Sequence, residues 1–414
     1  MTGTAHPLRN AAFRAILLTR LFSALTGGFY NVPIMWWVLE QTGSGSMIAS
    51  VGLVSALAGL IAAPIGGVLA DRGHKRLLIQ ATYVIDALLL VLMATLVLGG
   101  HMRVGYVFPL LAVTSFVAAL RGPASSVLVP MTIPRAVYQQ GNAMMSLTGS
   151  LASLSGYALA GAATGFAGVH GAMLIGAGLL AAAILTLATV PEPTLPAASA
   201  GTDPEQADPP SEGLLAGLGV IWSNPLLFWT FAVSLLLNFV LIPLEVTLAP
   251  FARELGAGAR EFGFLSASIS VGQLLGMLAL STYRVPRPWL ALVGGTFGIA
   301  AAIAGLSVAA TLPQALTLLA LGGLSAAVMN VQLSVVAQLH IPHAVMGRAY
   351  GVMNSVSSAV QPLGYAGAAA LLAWLPLHSI FLLIGTLLAL AAAAWLHPTL
   401  RVGFEKPMVS PATD

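Results

Sequence analysis

Charged side chains are scarce in this chain. Of its 414 residues, 7% are Asp, Glu, Lys or Arg, whereas 58% are hydrophobic. A soluble globular protein carries about 25% charged residues, so the charges here cannot cover a surface that faces water, and the solvent must be mostly lipid. The net charge of +3 is also too small to indicate nucleic-acid binding, and we expect no nucleic-acid partner.

Cysteine is absent, which excludes disulfide bonds and thiol chemistry. The sequence also lacks a phosphate-binding loop for ATP, a cluster of metal ligands, and the nucleophile and base pattern of a hydrolytic enzyme. We therefore expect no cofactor, no metal and no enzymatic activity. A membrane enzyme or a receptor that does not transport is the alternative from another class, and ligand binding without flux into vesicles would favour the receptor.

Long apolar stretches dominate the sequence, and twelve of them reach the length of about 20 residues that a spanning helix needs. They predict an all-α membrane protein with twelve transmembrane helices in two pseudo-symmetric six-helix bundles. The predicted bundles are residues 1–190 and 215–414, the second with a short cytoplasmic tail, and a proline-rich cytoplasmic linker, 191–214, joins them. The spans lie near 13–39, 46–70, 77–99, 104–129, 139–166, 171–190, 225–250, 261–282, 288–310, 314–338, 346–373 and 376–396.

The distribution of Lys and Arg predicts the orientation of these spans. If the spans alternate in direction, eleven of the sixteen cations fall on the side that holds both termini, three on the other side and two inside the membrane. Cytoplasmic loops are enriched in Lys and Arg. We therefore expect both termini in the cytoplasm, in a multi-pass protein of the bacterial inner membrane. Paired six-helix halves are typical of transporters whose site lies between the halves.

The stretch GGVLADRGHKR, residues 66–76, places several charges in one predicted cytoplasmic turn. Its cations would keep the loop inside, and Asp71 would interact with the positive end of a nearby helix. Such a clamp would favour one conformational state. The stretch resembles the loop signature of the major facilitator superfamily, although His74 replaces the usual second glycine. The matching residues are Gly67, Leu69, Ala70, Asp71, Arg72, Lys75 and Arg76.

Three further segments resemble the macrolide-efflux and enterobactin-exporter branch of that superfamily. They are 13–44, 119–144 and 340–355, the last of which contains Arg348, which we add to the predicted clamp. The resemblance implies the major facilitator fold, alternating access by rocking of two halves, and efflux of a small molecule, usually driven by protons. The glycine-rich segment 149–165 partly matches an antiporter signature, but Tyr157 stands where proline would follow Gly156, and close helix packing is the alternative.

Four ionisable side chains stand out within the predicted spans, where charge is costly and usually serves a cavity or a partner. Asp86, about 15 Å deep, is the first candidate for proton coupling, with an ion pair to Arg20 or Arg121 and a contact to a cationic substrate as alternatives. Glu245 is the second candidate, and it would equally serve as a substrate contact or a solvated gate residue. Arg20 and Arg121 suit an anionic group on a substrate, with an ion pair or a carbonyl contact as the alternative.

Aromatic and amide residues supply the remaining candidates for a substrate cavity. Phe29, Tyr30 and Asn31 lie near the middle of the first span, Tyr83 in the third and Asn238 in the seventh. Trp36 and Trp37 lie near the outer end of the first span, where we expect a membrane belt.

These observations predict a secondary active transporter that exports small amphipathic molecules by proton antiport. The alternatives within transport are a dedicated exporter of a siderophore or another carboxylate metabolite, and a member that moves lysophospholipid between leaflets. The expected partners are a small-molecule substrate, protons and the lipid bilayer, and we expect a monomer.

Overall fold

The computed structural model describes residues 7–72, 74–128, 132, 137–191, 219, 221–282, 285, 287–341 and 346–396. Within these ranges every regular element is helical. A short 3-10 helix, Pro7–Arg9, precedes eleven α-helices. They are α1 (Ala11–Thr42), α2 (Gly45–Arg72), α3 (Lys75–Leu98), α4 (Val104–Leu128), α5 (Tyr138–Ala188), α6 (Pro225–Glu254), α7 (Ala259–Thr282), α8 (Pro288–Leu306), α9 (Leu312–His340), α10 (Met346–Trp374) and α11 (Leu377–Ala394).

Helix α5 consists of two limbs that meet at Gly168. This residue has φ 73° and ψ 175°, a conformation that is essentially restricted to glycine. The break falls in the gap that the sequence predicts between the spans 139–166 and 171–190. With its two limbs counted separately, these elements give twelve α-helical segments, and the predicted all-α fold is confirmed.

Most of these helices match the thickness of a bilayer. Apart from α1, all the α-helices of the described chain are long and apolar enough to cross a membrane. Helix α1 is long enough at 32 residues but carries Arg14, Arg20 and Glu40. The protein is therefore a multi-pass membrane protein.

The described residues divide into two compact units. The first unit contains the residues up to 191 and also the segment Leu248–Ala267, and the second contains the rest. In the first unit α1 packs along α5, α2 packs along α4, and α3 packs against both α4 and α5. In the second unit α8 packs against α9 and α11. The predicted domain boundaries stay a prediction, because nearly all of the linker 191–214 lies outside the described residues.

The glycines of 149–165 form the contact face of the first limb of α5. A Cβ on Gly156 would lie 2.7 Å from the carbonyl oxygen of Leu25 in α1, and a Cβ on Gly161 would lie 2.6 Å from the Cα of Gly263 in α7. Helices can approach this closely only where the side chain is a hydrogen atom. Close packing therefore accounts for these glycines, and antiport stays a prediction.

The C-terminal end of α1 is buried in protein. Trp36 and Trp37 are 8% and 6% exposed, so the prediction that they form a membrane belt is wrong. Trp36 donates a hydrogen bond from Nε1 to Glu40 Oε1 over 2.6 Å and stacks on Phe262, with ring centroids 6.3 Å apart. The segment Leu248–Ala267 provides this cover, because Arg253 Nη1 also donates to the carbonyl oxygen of Leu39 over 3.3 Å. Sequence depth alone could not show that another segment covers these rings.

The other end of α1 is fixed by Asn10. Its side-chain oxygen accepts hydrogen bonds from the backbone N–H groups of Ala12 and Phe13, over 2.9 and 3.3 Å. This is the usual role of asparagine before the first turn of a helix. The amide nitrogen of Asn10 donates to the carbonyl oxygen of Thr132 over 2.6 Å.

Candidate functional site

A cavity of about 700 Å³ lies within the first unit, between α1, α3, α4 and α5. Small-molecule sites have volumes of about 300–1,000 Å³, so the cavity has room for a substrate of drug-like size. Three of the predicted cavity residues, Arg20, Tyr83 and Arg121, line it together. The other lining residues are apolar, small or uncharged polar: Ile16, Thr19, Ser23, Ala24, Ile79, Ala118, Gly122, Ser125, Asn142, Met145, Ser146 and Leu187.

Arg121 of α4 is held by two residues of α3. Its Nη1 lies 2.9 Å from Asp86 Oδ2, forming an ion pair in which the two side chains are 21% and 7% exposed. The guanidinium carbon lies 4.6 Å from the ring centroid of Tyr83, which adds a cation–π contact. The sequence left Arg20 and Arg121 open as ion-pair partners of Asp86, and in the structure the partner is Arg121.

The second oxygen of Asp86, Oδ1, is buried and has no hydrogen-bond partner in the described part of the chain. A buried carboxylate with one unsatisfied oxygen is costly. The pair with Arg121 therefore compensates the charge of Asp86 without satisfying the whole group. Whether Asp86 couples transport to protons stays a prediction.

Arg20 reaches the same cavity from α1 and is exposed there. Its guanidinium lies over the first limb of α5, where a Cβ on Gly149 would come within 3.0 Å of Nη2 and 3.1 Å of Nε. Within the described residues this guanidinium has neither an ion-pair partner nor a hydrogen-bond acceptor. Arg20 therefore lies where a substrate could reach it, and its contact with a substrate stays a prediction.

The other candidates of α1 lie outside the cavity lining. The Tyr30 hydroxyl donates to Thr114 Oγ1 of α4 over 2.5 Å. Phe29 is 4% exposed and packs against Gly176 in the second limb of α5. Asn31 is half-buried. Their predicted contacts with a substrate stay predictions, and this cavity does not support them.

Asn238 and Glu245 belong to the second unit. Both lie on α6 and are exposed. The Asn238 amide nitrogen donates to the carbonyl oxygen of Ser234 over 2.8 Å, and the Tyr365 hydroxyl donates to Glu245 Oε2 over 3.3 Å. Hydrogen bonds within the second unit therefore hold both side chains.

The predicted loop clamp is described only in part. Gly67 lies within α2, whose backbone continues to Arg72, and Lys75 begins α3. Arg76 Nη1 donates to the carbonyl oxygen of Val190 over 2.6 Å, which ties the start of α3 to the end of α5. The side chains of Asp71, Arg72 and Arg348 lie outside the described residues. The clamp as a whole stays a prediction.

Sequence reasoning missed the cavity-lining residues at the start of α5. Asn142, Met145 and Ser146 line the cavity. Their spacing of three and four residues places them on one helical face, and this periodicity could have identified them. A second cavity, of about 650 Å³, lies at the C-terminal end of α1, between α1, α5 and the segment Leu248–Ala267, with Trp36, Glu40 and Arg260 among its lining residues. No sequence pattern that we recognised indicated this second cavity.

Known proteins resemble this chain along most of its length. The family model for the Major Facilitator Superfamily matches residues 16–365. The multidrug efflux pump Tap of Mycolicibacterium fortuitum is 27% identical, with 94% of this chain and 97% of the pump aligned. The Tap pump of Mycobacterium tuberculosis H37Rv is also 27% identical, with 90% of each chain aligned.

Solved structures show the same fold at low identity. A bacterial homologue of the human lysosomal transporter Spinster superposes with a TM-score of 0.74 at 15% identity, over 99% of this chain and 100% of the other. A bacterial homologue of the iron transporter ferroportin gives a TM-score of 0.70 at 16% identity, over 95% and 100% of the two chains.

Proposed function

The chain belongs to the major facilitator superfamily, and we propose that this transporter exports small amphipathic molecules from the cytoplasm by proton antiport. The observation that carries the proposal is the similarity to relatives named multidrug efflux pumps, which extends over nine-tenths or more of both chains. Similarity of this extent covers the bundles, the loops and the cavity-lining helices alike. It favours a pump for diverse small molecules.

The composition of the cavity supports an amphipathic substrate. Ile16, Ile79 and Leu187 provide apolar surface, while Arg20 and Asn142 provide hydrogen-bond donors. Substrate pockets commonly combine a mostly apolar lining with a few placed polar groups. A molecule with an apolar body and one polar end fits such a lining.

We propose Asp86 as the proton-coupling residue, acting through its pair with Arg121. Protonation of Asp86 removes the negative charge that holds Arg121, so a proton and the positive guanidinium compete for the same carboxylate. The 2.9 Å contact between them supports this competition. Glu245, which accepts a hydrogen bond from Tyr365, is the second candidate. We place the protein in the bacterial inner membrane as a monomer with both termini in the cytoplasm.

The test is a flux measurement in proteoliposomes with an imposed pH gradient. The probes are rhodamine 6G and a macrolide, with protein-free liposomes for passive leakage. We expect wild-type protein to accumulate at least one probe only when the gradient is present. We expect Asp86→Asn to lose gradient-driven accumulation while retaining probe binding.

Two variants make this result interpretable. Glu254→Gln removes a carboxylate from an exposed position at the end of α6 and should transport like wild type. Because Asp86→Asn leaves Arg121 without its partner, the double variant Asp86→Asn/Arg121→Gln removes both charges and should restore folding without restoring coupling. Normal gradient-driven flux in either Asp86 variant would contradict the role of Asp86, and the absence of flux in wild type would contradict antiport of these probes.

A further inference from the structure

Arg20 is the one uncompensated charge among the described residues that line the cavity. The cavity contains two guanidinium groups, Arg20 and Arg121, and its described lining contains no aspartate or glutamate. Asp86 compensates Arg121 from behind the lining, through the 2.9 Å pair. Arg20 has no such partner in the described chain. The cavity therefore carries close to one net positive charge, and this charge is at Arg20.

An unpaired charge within a membrane-spanning segment is costly unless it contacts water or binds a partner. The guanidinium presents a planar set of N–H donors that matches a carboxylate or phosphate through two parallel hydrogen bonds. Asn142 and Ser146 lie on the facing wall from α5, where an amide N–H and a hydroxyl are available as further donors. The lining is thus rich in donors and has an excess of positive charge.

The apolar lining residues define what else a ligand must contain. Ile16 on α1, Ile79 on α3 and Leu187 in the second limb of α5 supply apolar surface within the same space of about 700 Å³. While Asp86 is ionised, a second anionic group would have no free cation to meet, since Arg121 is then paired with Asp86. A cationic group would find no carboxylate among the described lining residues, so the lining favours an anionic group over a cationic one.

We infer that the preferred substrates are amphipathic molecules with a single anionic group, a carboxylate or a phosphate, which binds Arg20. This inference rests on the proposed export function and narrows its substrate class. Arg20 is the charge partner of the anion. Gly149 is a positioning residue, because its lack of a side chain leaves the space that the Arg20 guanidinium occupies.

The test is binding of a matched pair of probes, coumarin-3-carboxylate and coumarin-3-carboxamide, to full-length protein in phosphatidylcholine nanodiscs. The two probes share the ring system and differ in the charge. We expect the carboxylate to bind about tenfold more tightly or better, as for a hydrogen bond to a charged group. Arg20→Gln should remove this preference and leave carboxamide binding unchanged, whereas Arg20→Lys should retain a weaker preference.

Arg14→Gln is the matched control, because Arg14 lies on the same helix, is exposed and is absent from the cavity lining. This variant should keep the full preference. Gly149→Ala would place a methyl group about 3 Å from the Arg20 guanidinium. We expect it to weaken carboxylate binding several-fold without affecting the carboxamide. A loss of both probes together would indicate general damage to the cavity and would contradict the positioning role.

Anionic lipid is a second source of the same chemical group. Adding phosphatidylglycerol to the nanodiscs tests this source, because a lipid headgroup at Arg20 would compete with coumarin-3-carboxylate in wild type and not in Arg20→Gln. Competition would support the anion site and assign it to a lipid. Its absence, with the preference retained, would assign the site to soluble compounds.

The anion site is tested by the binding of the two coumarins, and the export function is tested by flux under a pH gradient, so either proposal can fail without the other. If wild type moves rhodamine 6G or the carboxamide under a pH gradient but binds both coumarins equally, export stands and the anion site is refuted. Equal binding of the carboxylate to wild type and Arg20→Gln would refute it as well. If no probe is transported but the carboxylate preference depends on Arg20, the anion site stands and the proposed antiport fails.

Discussion

Removal of Arg121 provides the most direct measurement of the buried ion pair. In Arg121→Gln, the Asp86 carboxyl group loses the Nη1 donor at 2.9 Å, while its other oxygen already has no partner in the described chain. Breaking a buried pair from one side typically costs about 3–5 kcal/mol. The Arg121 side chain is 21% exposed, and a carboxyl group left alone can take up a proton. We therefore expect the free energy of unfolding to fall by an amount at the lower end of this range, about 3 kcal/mol.

The assay is reversible unfolding in lipid or mild detergent, and tryptophan fluorescence monitors the transition. The chain contains seven tryptophans and no cysteine, so intrinsic fluorescence is suitable and thiol-reactive dyes are not. Asp86→Asn and the double variant Asp86→Asn/Arg121→Gln complete a double-mutant cycle. We expect the double variant to be more stable than Arg121→Gln alone, because it no longer buries an unpaired charge.

The size of the coupling decides whether this reasoning is correct. If the free-energy losses of the two single variants add up in the double variant within about 0.5 kcal/mol, the two residues do not interact energetically. That result would refute the ion pair as a stabilising contact, together with the competition between a proton and Arg121 that we propose for coupling.

Three further predictions concern packing and hydrogen bonds in the first unit. Gly263→Ala should lower the unfolding free energy by about 1–3 kcal/mol, because its Cβ would lie 2.5 Å from the Cα of Gly161; Gly178→Ala, with open space around it inside α5, is the control and should not lower the unfolding free energy, because alanine is the better helix former. Asn10→Ala should cost about 1 kcal/mol through loss of the helix cap, and an aspartate at this position should retain most of the capping contribution when the same unfolding transition is measured. Tyr30→Phe should cost about 1 kcal/mol, and removing its threonine partner on α4 in that background should add little; full additivity would show that the hydrogen bond contributes nothing.

The sequence predicted the number and type of the helices because bilayer thickness imposes a length on each span. It also placed the break in α5, where Gly168 adopts a conformation that other residues avoid. Depth in the membrane follows from counting residues along a helix. The positions of Asp86 and Arg121 along their helices therefore follow from the amino-acid sequence alone, and their depth in the membrane stays a prediction.

Which side chains meet does not follow in the same way. The rotation of each helix about its axis decides whether Asp86 faces Arg20 or Arg121, and that rotation depends on which helices pack together. Phe29 illustrates the same difficulty, since it lies near the middle of α1 as predicted but faces Gly176 and not the cavity. The twelve-helix pattern also provided no reason to expect that the segment Leu248–Ala267 would cover Trp36.

The segment Leu248–Ala267 belongs to the first unit although it follows the linker in the chain, so cutting the linker does not separate the two units. Helices α6 and α7 each begin in one unit and end in the other, so two continuous helices connect the units in addition to the linker. Cleavage within residues 191–214 would therefore give fragments that are not structural units, because the C-terminal fragment would retain a part of the first unit. An isolated N-terminal fragment would leave the contact faces of Gly161 and Trp36 uncovered, whereas coexpression of both fragments would supply the missing segment.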